Sequence, residues 1–158
     1  FVRVLMDYLL TTQWISTCYL TGLIWFVQWV HYPIYSLVSP ADRQAYQAFH
    51  IRRTTAIVFL PMVVELFGGT LLVFREWDTE RFIPALMGMG LLGVIWLSTL
   101  VLQIPRHGKI GHPKTDLADA SSIEEENYSI RMLVKTNWIR TLSWSGRLAI
   151  LAIYFPQS

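Results

Sequence analysis

Four long apolar segments, separated by shorter polar connections, dominate the pattern of this chain. They run over Leu9–Val30, Thr54–Phe74, Phe82–Ile104 and Leu133–Phe155. A helix needs about 20 mostly apolar residues to cross the hydrocarbon core of a bilayer, and each segment reaches that length. The pattern therefore predicts an all-α protein, an integral membrane four-helix bundle.

Local signals in the polar connections predict where the helices end. Pro33 closes the first helix, and Ser39-Pro40 is typical of a helix start, with Ser39 as the cap. The second helix is therefore expected to begin before it enters the bilayer. The prediction is a single transmembrane domain over residues 1–158, with helices at about 9–31, 40–74, 82–104 and 122–155.

Composition supports a membrane environment. The chain of 158 residues is 53% hydrophobic and only 15% charged, and a soluble protein of this size has too much surface to bury that much apolar material. Its seven Trp and seven Tyr suit membrane interfaces. The net charge of +2 indicates no nucleic-acid partner. The expected partners are the lipid bilayer and either other membrane subunits or further copies of the chain.

The distribution of Lys and Arg predicts the orientation. Nine of them lie on the side that carries the histidines, against three (Arg3, Arg75 and Arg81) on the other side. Positive residues favour the cytoplasmic side. We therefore expect a multi-pass protein of the bacterial inner (cytoplasmic) membrane with both termini in the periplasm. The nine are Arg43, Arg52, Arg53, Arg106, Lys109, Lys114, Arg131, Lys135 and Arg140.

All four histidines are expected at this one membrane face. His31 follows the first apolar segment, His50 precedes the second, and His107 follows the third, with His112 in the loop beyond it. Three imidazoles from His31, His50 and His107 suit a transition metal, and two of them suit axial ligation of haem. The alternative is a set of interfacial histidines and snorkelling arginines with no ligand. The cofactor therefore stays unknown, with a metal ion and haem as the options.

Polar residues near the histidines extend this candidate site. Gln28, Gln103 and Asn137 are candidates to orient imidazole nitrogens or a cofactor. Arg53 and Arg140 are candidates to hold an anionic or quinone-like head group. We find no Gly-rich phosphate loop, nucleophile elbow or Ser-His-Asp set, and the lone Cys18 excludes an internal disulfide.

Glu65 is the most costly residue of the chain, because it is expected near the middle of the bilayer. The last helix enters the bilayer from the same side as the second, and Arg147 lies at a similar depth along it. Arg147 is therefore the predicted partner of Glu65, with Arg140 as the alternative. Two interpretations stay open. The pair is either a buried clamp that fixes helix register or, with Arg140, a catalytic proton-handling group.

Several motifs together resemble a known group. They are Gln28-Trp29-Val30-His31-Tyr32-Pro33, Phe49-His50-Ile51-Arg52-Arg53, Pro61-Met62 with Glu65, Gln103-Ile104-Pro105 with His107, and Thr136-Asn137-Trp138-Ile139-Arg140 with Trp144 and Arg147. With these motifs the chain resembles a widespread uncharacterised bacterial family of small four-helix membrane proteins. It is more distantly similar to the anthrone-oxygenase-like group, in which a His-Pro follows the first helix, whereas here Tyr32 separates His31 from Pro33. The resemblance implies the four-helix fold.

Two functions compete at this point. The first is a metal-dependent or cofactor-light oxygenase or oxidoreductase that acts on a small aromatic or quinone-like molecule. The second is a non-catalytic accessory subunit of a larger membrane complex, such as a respiratory or photosynthetic one. The enzyme requires a site formed by the three histidines, whereas the subunit requires an apolar contact surface outside the bundle.

Overall fold

The computed structural model describes residues 2–110 and 120–156, and all regular elements in these ranges are helical. The all-α prediction is thereby confirmed for this part of the chain. Four helices are long, namely α1, α3, α4 and α6. The elements are α1 (Val2–Phe26), a first π turn (Val27–His31), α2 (Tyr32–Ile34), α3 (Arg43–Arg75), α4 (Phe82–Ser98), a second π turn (Thr99–Gln103), α5 (Ile104–His107) and α6 (Ala120–Tyr154).

The long helices pack as a ring in which α1 contacts α3, α3 contacts α4, α4 contacts α6, and α6 contacts α1. Consecutive long helices run antiparallel, as in an up-down-up-down bundle. The main apolar core includes Leu20, Ile24, Leu92, Ile95 and Leu133. A smaller cluster of Leu72, Ala85, Leu151 and Phe155 fills the end of the bundle opposite the histidines.

Two of the described helical runs are long and apolar enough to cross a membrane, where the sequence pattern predicted four. They are Arg43–Arg75, with a mean hydropathy of 2.2, and Phe82–His107, with 2.1. Helices α1 and α6 reach lower values because polar side chains occupy their inward faces. The buried polar residues of these two helices include Gln13, Thr17, Thr21, Ser129, Asn137, Thr141 and Arg147.

The first turn of α3 differs from the prediction. The helix begins at Arg43 with Asp42 at the N-cap position, three residues after the expected start at Pro40. The Ser39 hydroxyl donates to Asp42 Oδ2 over 2.6 Å instead of capping a helix that starts at Pro40. Residues such as Ser and Asp form these local side-chain bonds readily, and such bonds hold the chain in a turn before the helix starts.

Two π turns shape the end of the bundle that carries the histidines. The Tyr32 N–H bonds to Val27 O, and the Ile104 N–H bonds to Thr99 O, so each turn contains one residue more than an α-helical turn. Each turn is followed by a proline, Pro33 or Pro105, which has no N–H to donate. The extra residue rotates everything after it by about 100° around the helix axis, and π turns of this kind are frequent at functional sites.

Pro61 lies inside α3 and leaves the carbonyl of Ile57, four residues earlier, without its helical N–H donor. The Tyr19 hydroxyl of α1 donates to this carbonyl over 3.3 Å. A neighbouring helix thus satisfies the freed backbone group, which is how apolar surroundings tolerate proline in a helix.

Candidate functional site: a histidine–tyrosine–arginine cluster

The three histidines of the predicted site lie together at one end of the bundle. The rings of His31 and His50 are stacked, with centroids 4.2 Å apart and planes 22° apart. His107 lies next in the row, with its centroid 5.3 Å from that of His50. His31 comes from the first π turn, His50 from α3, and His107 from α5. Three separate parts of the chain therefore supply one contiguous set of imidazoles.

Tyrosines surround these rings, and the sequence analysis did not select them. Tyr32 is buried, and its ring centroid lies 6.1 to 6.3 Å from the centroids of all three histidines. Tyr35 is also buried and meets His31 and His50 edge-on at 6.0 Å. Tyr46 stacks on the outer side of His31 at 5.8 Å. Their sequence signal was available, because Tyr32 and Tyr35 lie one and four residues after His31 and Tyr46 lies four before His50.

Gln47 joins His107 to Tyr35. Its Nε2 lies 2.8 Å from His107 Nδ1 and also donates to the His107 carbonyl over 2.9 Å. Its Oε1 accepts a hydrogen bond from the Tyr35 hydroxyl. Gln47 is buried on α3, three residues before His50, and it is a further site residue that sequence reasoning missed.

Gln103 of the second π turn, a candidate to orient an imidazole or a cofactor, contacts a tyrosine and a threonine instead. Its Oε1 lies 3.3 Å from the Tyr32 hydroxyl, and its Nε2 donates to Thr136 Oγ1 over 3.0 Å. The Thr136 hydroxyl donates in turn to the Met132 carbonyl over 2.7 Å. The tyrosine at the centre of the cluster is thereby linked to the backbone of α6.

Arg140 is held by a second pair of amides. Gln28 donates to the Val134 carbonyl over 3.3 Å and accepts from Asn137 Nδ2 over 2.8 Å. Asn137 Oδ1 then accepts from Arg140 Nε over 3.0 Å. The contacts described for the predicted residues Gln28 and Asn137 thus orient an arginine rather than an imidazole.

The remaining contacts of Arg140 are with hydroxyl groups. Its Nη2 lies 3.2 Å from the Tyr32 hydroxyl, and its Nη1 lies 3.4 Å from Thr99 Oγ1. The ion pairs within residues 2–110 and 120–156 do not include Arg140, and the hydrogen bonds described for it go to neutral oxygens. Such a guanidinium, half-buried at the end of an apolar bundle, attracts an electron-rich oxygen.

Burial among the surrounding rings favours a neutral His31 and a protonated Tyr35. Burial lowers the pKa of His31 below its ordinary value of 6.5. Burial, followed by the neighbouring Tyr32 and Tyr46, raises the pKa of the Tyr35 hydroxyl, which therefore stays protonated and donates to Gln47. His31 Nε2 is buried and has no hydrogen-bond partner among the described residues. A neutral imidazole with a free nitrogen is able to accept a proton from a ligand.

The ring orientations bear on the predicted metal site. No group of three or more His, Cys, Asp or Glu side chains in the described ranges is placed to hold a metal ion. The lone pairs of imidazole nitrogens lie in the ring plane, so the stacked rings of His31 and His50 direct them side by side and do not point them at one centre. Shared ligation would require one ring to rotate.

Arg53, a predicted site residue, lies apart from the histidine cluster. It is exposed, and its guanidinium lies over the ring of Phe49 at 5.4 Å from the centroid. Helical periodicity places Arg53 and Glu65 each within about 60° of His50 around α3. At 100° per residue they lie on opposite sides of His50, about 120° apart, and the bundle covers only the side with Glu65. His112 lies outside the described residues.

Glu65 forms a separate network, ~22 Å along α3 from His50 at 1.5 Å per residue. The predicted ion pair with Arg147 is confirmed, with Arg147 Nε 2.9 Å from Glu65 Oε1. Thr17 donates to the same carboxylate, and Trp144 Nε1 donates to its Oε2 over 2.9 Å. Arg147 also donates to Gln13 of α1. All five side chains are buried, so helices α1, α3 and α6 are tied together by one charge-balanced network.

Glycines make room for this network. A Cβ atom on Gly88 of α4 would lie 3.0 Å from Arg147 Nη1, and one on Gly69 of α3 would lie 2.9 Å from Leu92 and 3.3 Å from Arg147 Nη2. The Glu65 carboxylate already accepts three hydrogen bonds. These contacts favour the clamp over the proton-handling group among the two interpretations of the Glu65–Arg147 pair.

Comparisons of the chain with protein-family models, curated proteins and solved structures found no match. The resemblance described from the sequence motifs therefore stays a prediction.

Proposed function

We propose that this chain is an integral membrane protein whose four long helices all cross the bilayer, with both termini in the periplasm of a bacterial cell. The support is that the most apolar parts of α3 and α4 are only 28% buried inside the bundle, so large side chains such as Phe59, Leu60, Phe67 and Leu71 face outward. Lipid is the solvent that suits such a surface.

Orientation is tested with a reporter joined after Ser158. An alkaline phosphatase fusion, which is active only outside the cytoplasm, is expected to be active at this position. A green fluorescent fusion is expected to stay dark there. The reverse pattern contradicts the proposed orientation, which rests on the bias of nine positive residues against three.

The cluster at the end of the bundle is proposed to bind a small aromatic or quinone-like molecule, as an oxidoreductase or oxygenase would. The observation that carries this proposal is Arg140, a cation held in place by Asn137, Tyr32 and Thr99 without a carboxylate among its described partners. A quinone carbonyl or a phenolate oxygen is the kind of acceptor that such a guanidinium stabilises. The adjacent imidazole and tyrosine rings offer faces on which an aromatic ring stacks.

His31 supplies the second part of the proposed chemistry. A quinol or phenol becomes a better electron donor when its hydroxyl loses a proton. His31 Nδ1 faces the Tyr46 hydroxyl over 3.4 Å, and in the tautomer with the ring proton on Nδ1 the unpartnered Nε2 accepts a proton from the ligand. A metal ion or haem would supply the electron-transfer step, and the donor set fits one only after a ring rotates. Metal analysis and an absorption spectrum of the purified protein test for it directly.

Binding is tested by titrating a soluble quinone analogue into the protein in nanodiscs and following Trp fluorescence. Wild-type protein is expected to give saturable quenching, and Arg140→Gln is expected to weaken binding by about 10-fold or more, which corresponds to one charge-assisted hydrogen bond. Arg52→Gln removes an exposed arginine from the same end of the bundle and is expected to bind normally. Equal affinities in all three proteins would overturn the proposal.

One observation favours the second candidate, a non-catalytic accessory subunit. Trp138 meets Trp25 and Trp29 edge-on, with centroids 5.6 and 6.0 Å away, and these rings form an aromatic surface on the outside of α1 and α6. Aromatic residues are enriched in interfaces as well as at membrane boundaries. Native mass spectrometry separates the two: loss of a larger assembly in Trp29→Ala would support the subunit, whereas a monomer in both proteins would exclude it.

A further inference from the structure

The direction of hydrogen bonds in the cluster depends on backbone carbonyls, which only accept. Gln47 donates its Nε2 to the His107 carbonyl over 2.9 Å, and this contact fixes which end of the amide carries the NH2 group. The second N–H of that group faces His107 Nδ1 over 2.8 Å. The Oε1 end faces the Tyr35 hydroxyl, which is a suitable donor. His107 Nδ1 therefore accepts a hydrogen bond and carries no proton.

The other end of the network leads to the same assignment independently. The Thr136 hydroxyl gives its proton to the Met132 carbonyl, so it accepts from Gln103 Nε2. Gln103 therefore turns its Oε1 toward the Tyr32 hydroxyl, which donates to it. The Tyr32 oxygen is then left to accept hydrogen bonds. Arg140 Nη2 donates to it, and His107 Nε2 faces it over 3.4 Å.

We propose that Gln47 is a positioning residue that holds His107 in the neutral tautomer with its proton on Nε2, so that His107 donates toward Tyr32 and leaves His31 and His50 to meet the ligand. Both nitrogens of His107 are occupied in this arrangement. His107 supports the hydroxyl at the centre of the site and offers no lone pair to a metal or to a substrate proton. The use of this tautomer in ligand binding rests on the proposed function. The tautomer itself follows from the hydrogen-bond network alone.

The proposal distinguishes three histidines that look equivalent in the sequence. His107 is a fixed donor, whereas His31 has an Nε2 without a described partner. His50 Nδ1 lies 3.0 Å from Thr54 Oγ1, one turn later on the same helix. A ligand that approaches Arg140 would thus meet a hydroxyl whose oxygen is already polarised by two donors. Substrate selectivity would follow, because an incoming group must accept from Arg140 and cannot accept from His107 without displacing Tyr32.

The experiment measures the tautomer directly, with no ligand present. Protein with ¹⁵N-labelled histidine is prepared in detergent micelles, and long-range ¹H–¹⁵N correlation NMR distinguishes protonated from lone-pair ring nitrogens. His107 is assigned by the signals lost in His107→Gln. The expected result is a protonated Nε2 and an unprotonated Nδ1 at neutral pH. A proton on Nδ1, or an equal mixture of tautomers, would overturn the proposal.

Gln47→Glu tests the cause. A carboxylate only accepts, so His107 is expected to move its proton to Nδ1, whereas Gln44→Glu on the exposed side of the same helix is expected to leave the tautomer unchanged. An unaltered tautomer in Gln47→Glu would refute the role of Gln47. If that variant does not fold, the wild-type spectrum and Gln47→Leu, expected to give a tautomer mixture, decide the question. Because no quinone is present, failure here and failure of quinone binding are separate outcomes.

Discussion

The Glu65–Arg147 clamp gives a stability prediction whose size follows from its contacts. Glu65→Leu removes a carboxylate that accepts from Thr17, Trp144 and Arg147. The change leaves the buried guanidinium without its counter-charge, and breaking a buried ion pair in this way costs about 3–5 kcal/mol. Two neutral donors also lose their acceptor, at about 1 kcal/mol each. We expect the free energy of unfolding to fall by about 5–7 kcal/mol, the sum of these costs.

Companion variants separate charge from hydrogen bonding. Glu65→Gln keeps an acceptor for the neutral donors and is expected to cost about 1–3 kcal/mol, less than Glu65→Leu. The double variant Glu65→Leu/Arg147→Met removes both charges and is expected to recover part of the loss, because an apolar pair of similar volume avoids the buried unpaired charge. Glu80→Leu, in the exposed hairpin between α3 and α4, serves as the control and should change stability by no more than about 0.5 kcal/mol.

The assay is reversible unfolding in mixed micelles of a mild detergent and increasing SDS, followed by circular dichroism. Free energies are compared between variants at the same detergent composition. A Glu65→Leu protein within about 0.5 kcal/mol of wild type would refute the clamp, because it would mean that Arg147 does not depend on this carboxylate. If the double variant has a lower free energy of unfolding than Glu65→Leu by more than about 0.5 kcal/mol, the two residues act separately.

Three further predictions use the same unfolding assay. Gly88→Ala places a Cβ 3.0 Å from Arg147 Nη1 and should lower the free energy of unfolding by about 1–3 kcal/mol. Gly90→Ala, with nothing within 4 Å of the new Cβ, should be neutral or stabilising. Equal effects of the two variants would contradict the close approach of α4 to Arg147. Tyr19→Phe leaves the Ile57 carbonyl without a donor and should lower the free energy of unfolding by about 1 kcal/mol. In a Pro61→Ala background residue 61 again has an N–H for that carbonyl, so Tyr19→Phe should have no cost there. The same cost in both backgrounds would exclude Tyr19 as the substitute donor. Burial lowers the pKa of His31, so the ring takes up a proton below pH 6.5 only after unfolding exposes it. The free energy of unfolding should therefore fall as the pH drops from 6.5 to 5, and it should fall less steeply in His31→Gln. Identical pH slopes of the two proteins would contradict a neutral buried His31.

The sequence carried enough information for the pairing of Glu65 with Arg147. Both residues are charged within apolar helices, and counting 1.5 Å per residue from the polar ends places them at matching depths. The meeting of His31, His50 and His107 was predictable for a similar reason, since successive crossings alternate direction. Depth along a helix can be read from sequence because it depends only on rise per residue.

The face of each helix was harder to predict than depth. Arg53 was placed with the site because it lies within 60° of His50, but the bundle covers the other side of α3. The π turns at Val27–His31 and Thr99–Gln103 add one residue each and rotate Tyr32 and His107 relative to a continuous α-helix. Only the following prolines signal them, and proline alone does not specify a π turn.

Gln47 and its partner Tyr35 were missed because their contact is a tertiary one. Gln47 and Tyr35 are twelve residues apart and meet through a turn whose path is not encoded in helical periodicity. Glutamine in a polar helical turn is usually solvated, so its type alone gives no reason to select it. Their burial is what distinguishes them.

The central claim is that the cluster around Arg140 binds a quinone-like molecule, and photolabelling tests it most directly. An azido-quinone is bound to the protein in nanodiscs and irradiated, and the modified peptides are mapped by mass spectrometry. The account predicts label on peptides that contain Tyr32, Tyr46, His107 or Arg140, suppressed by excess unmodified quinone and lost in Arg140→Gln. Label confined to the outward apolar residues of α3, such as Phe67 and Leu71, and insensitive to competition would contradict it.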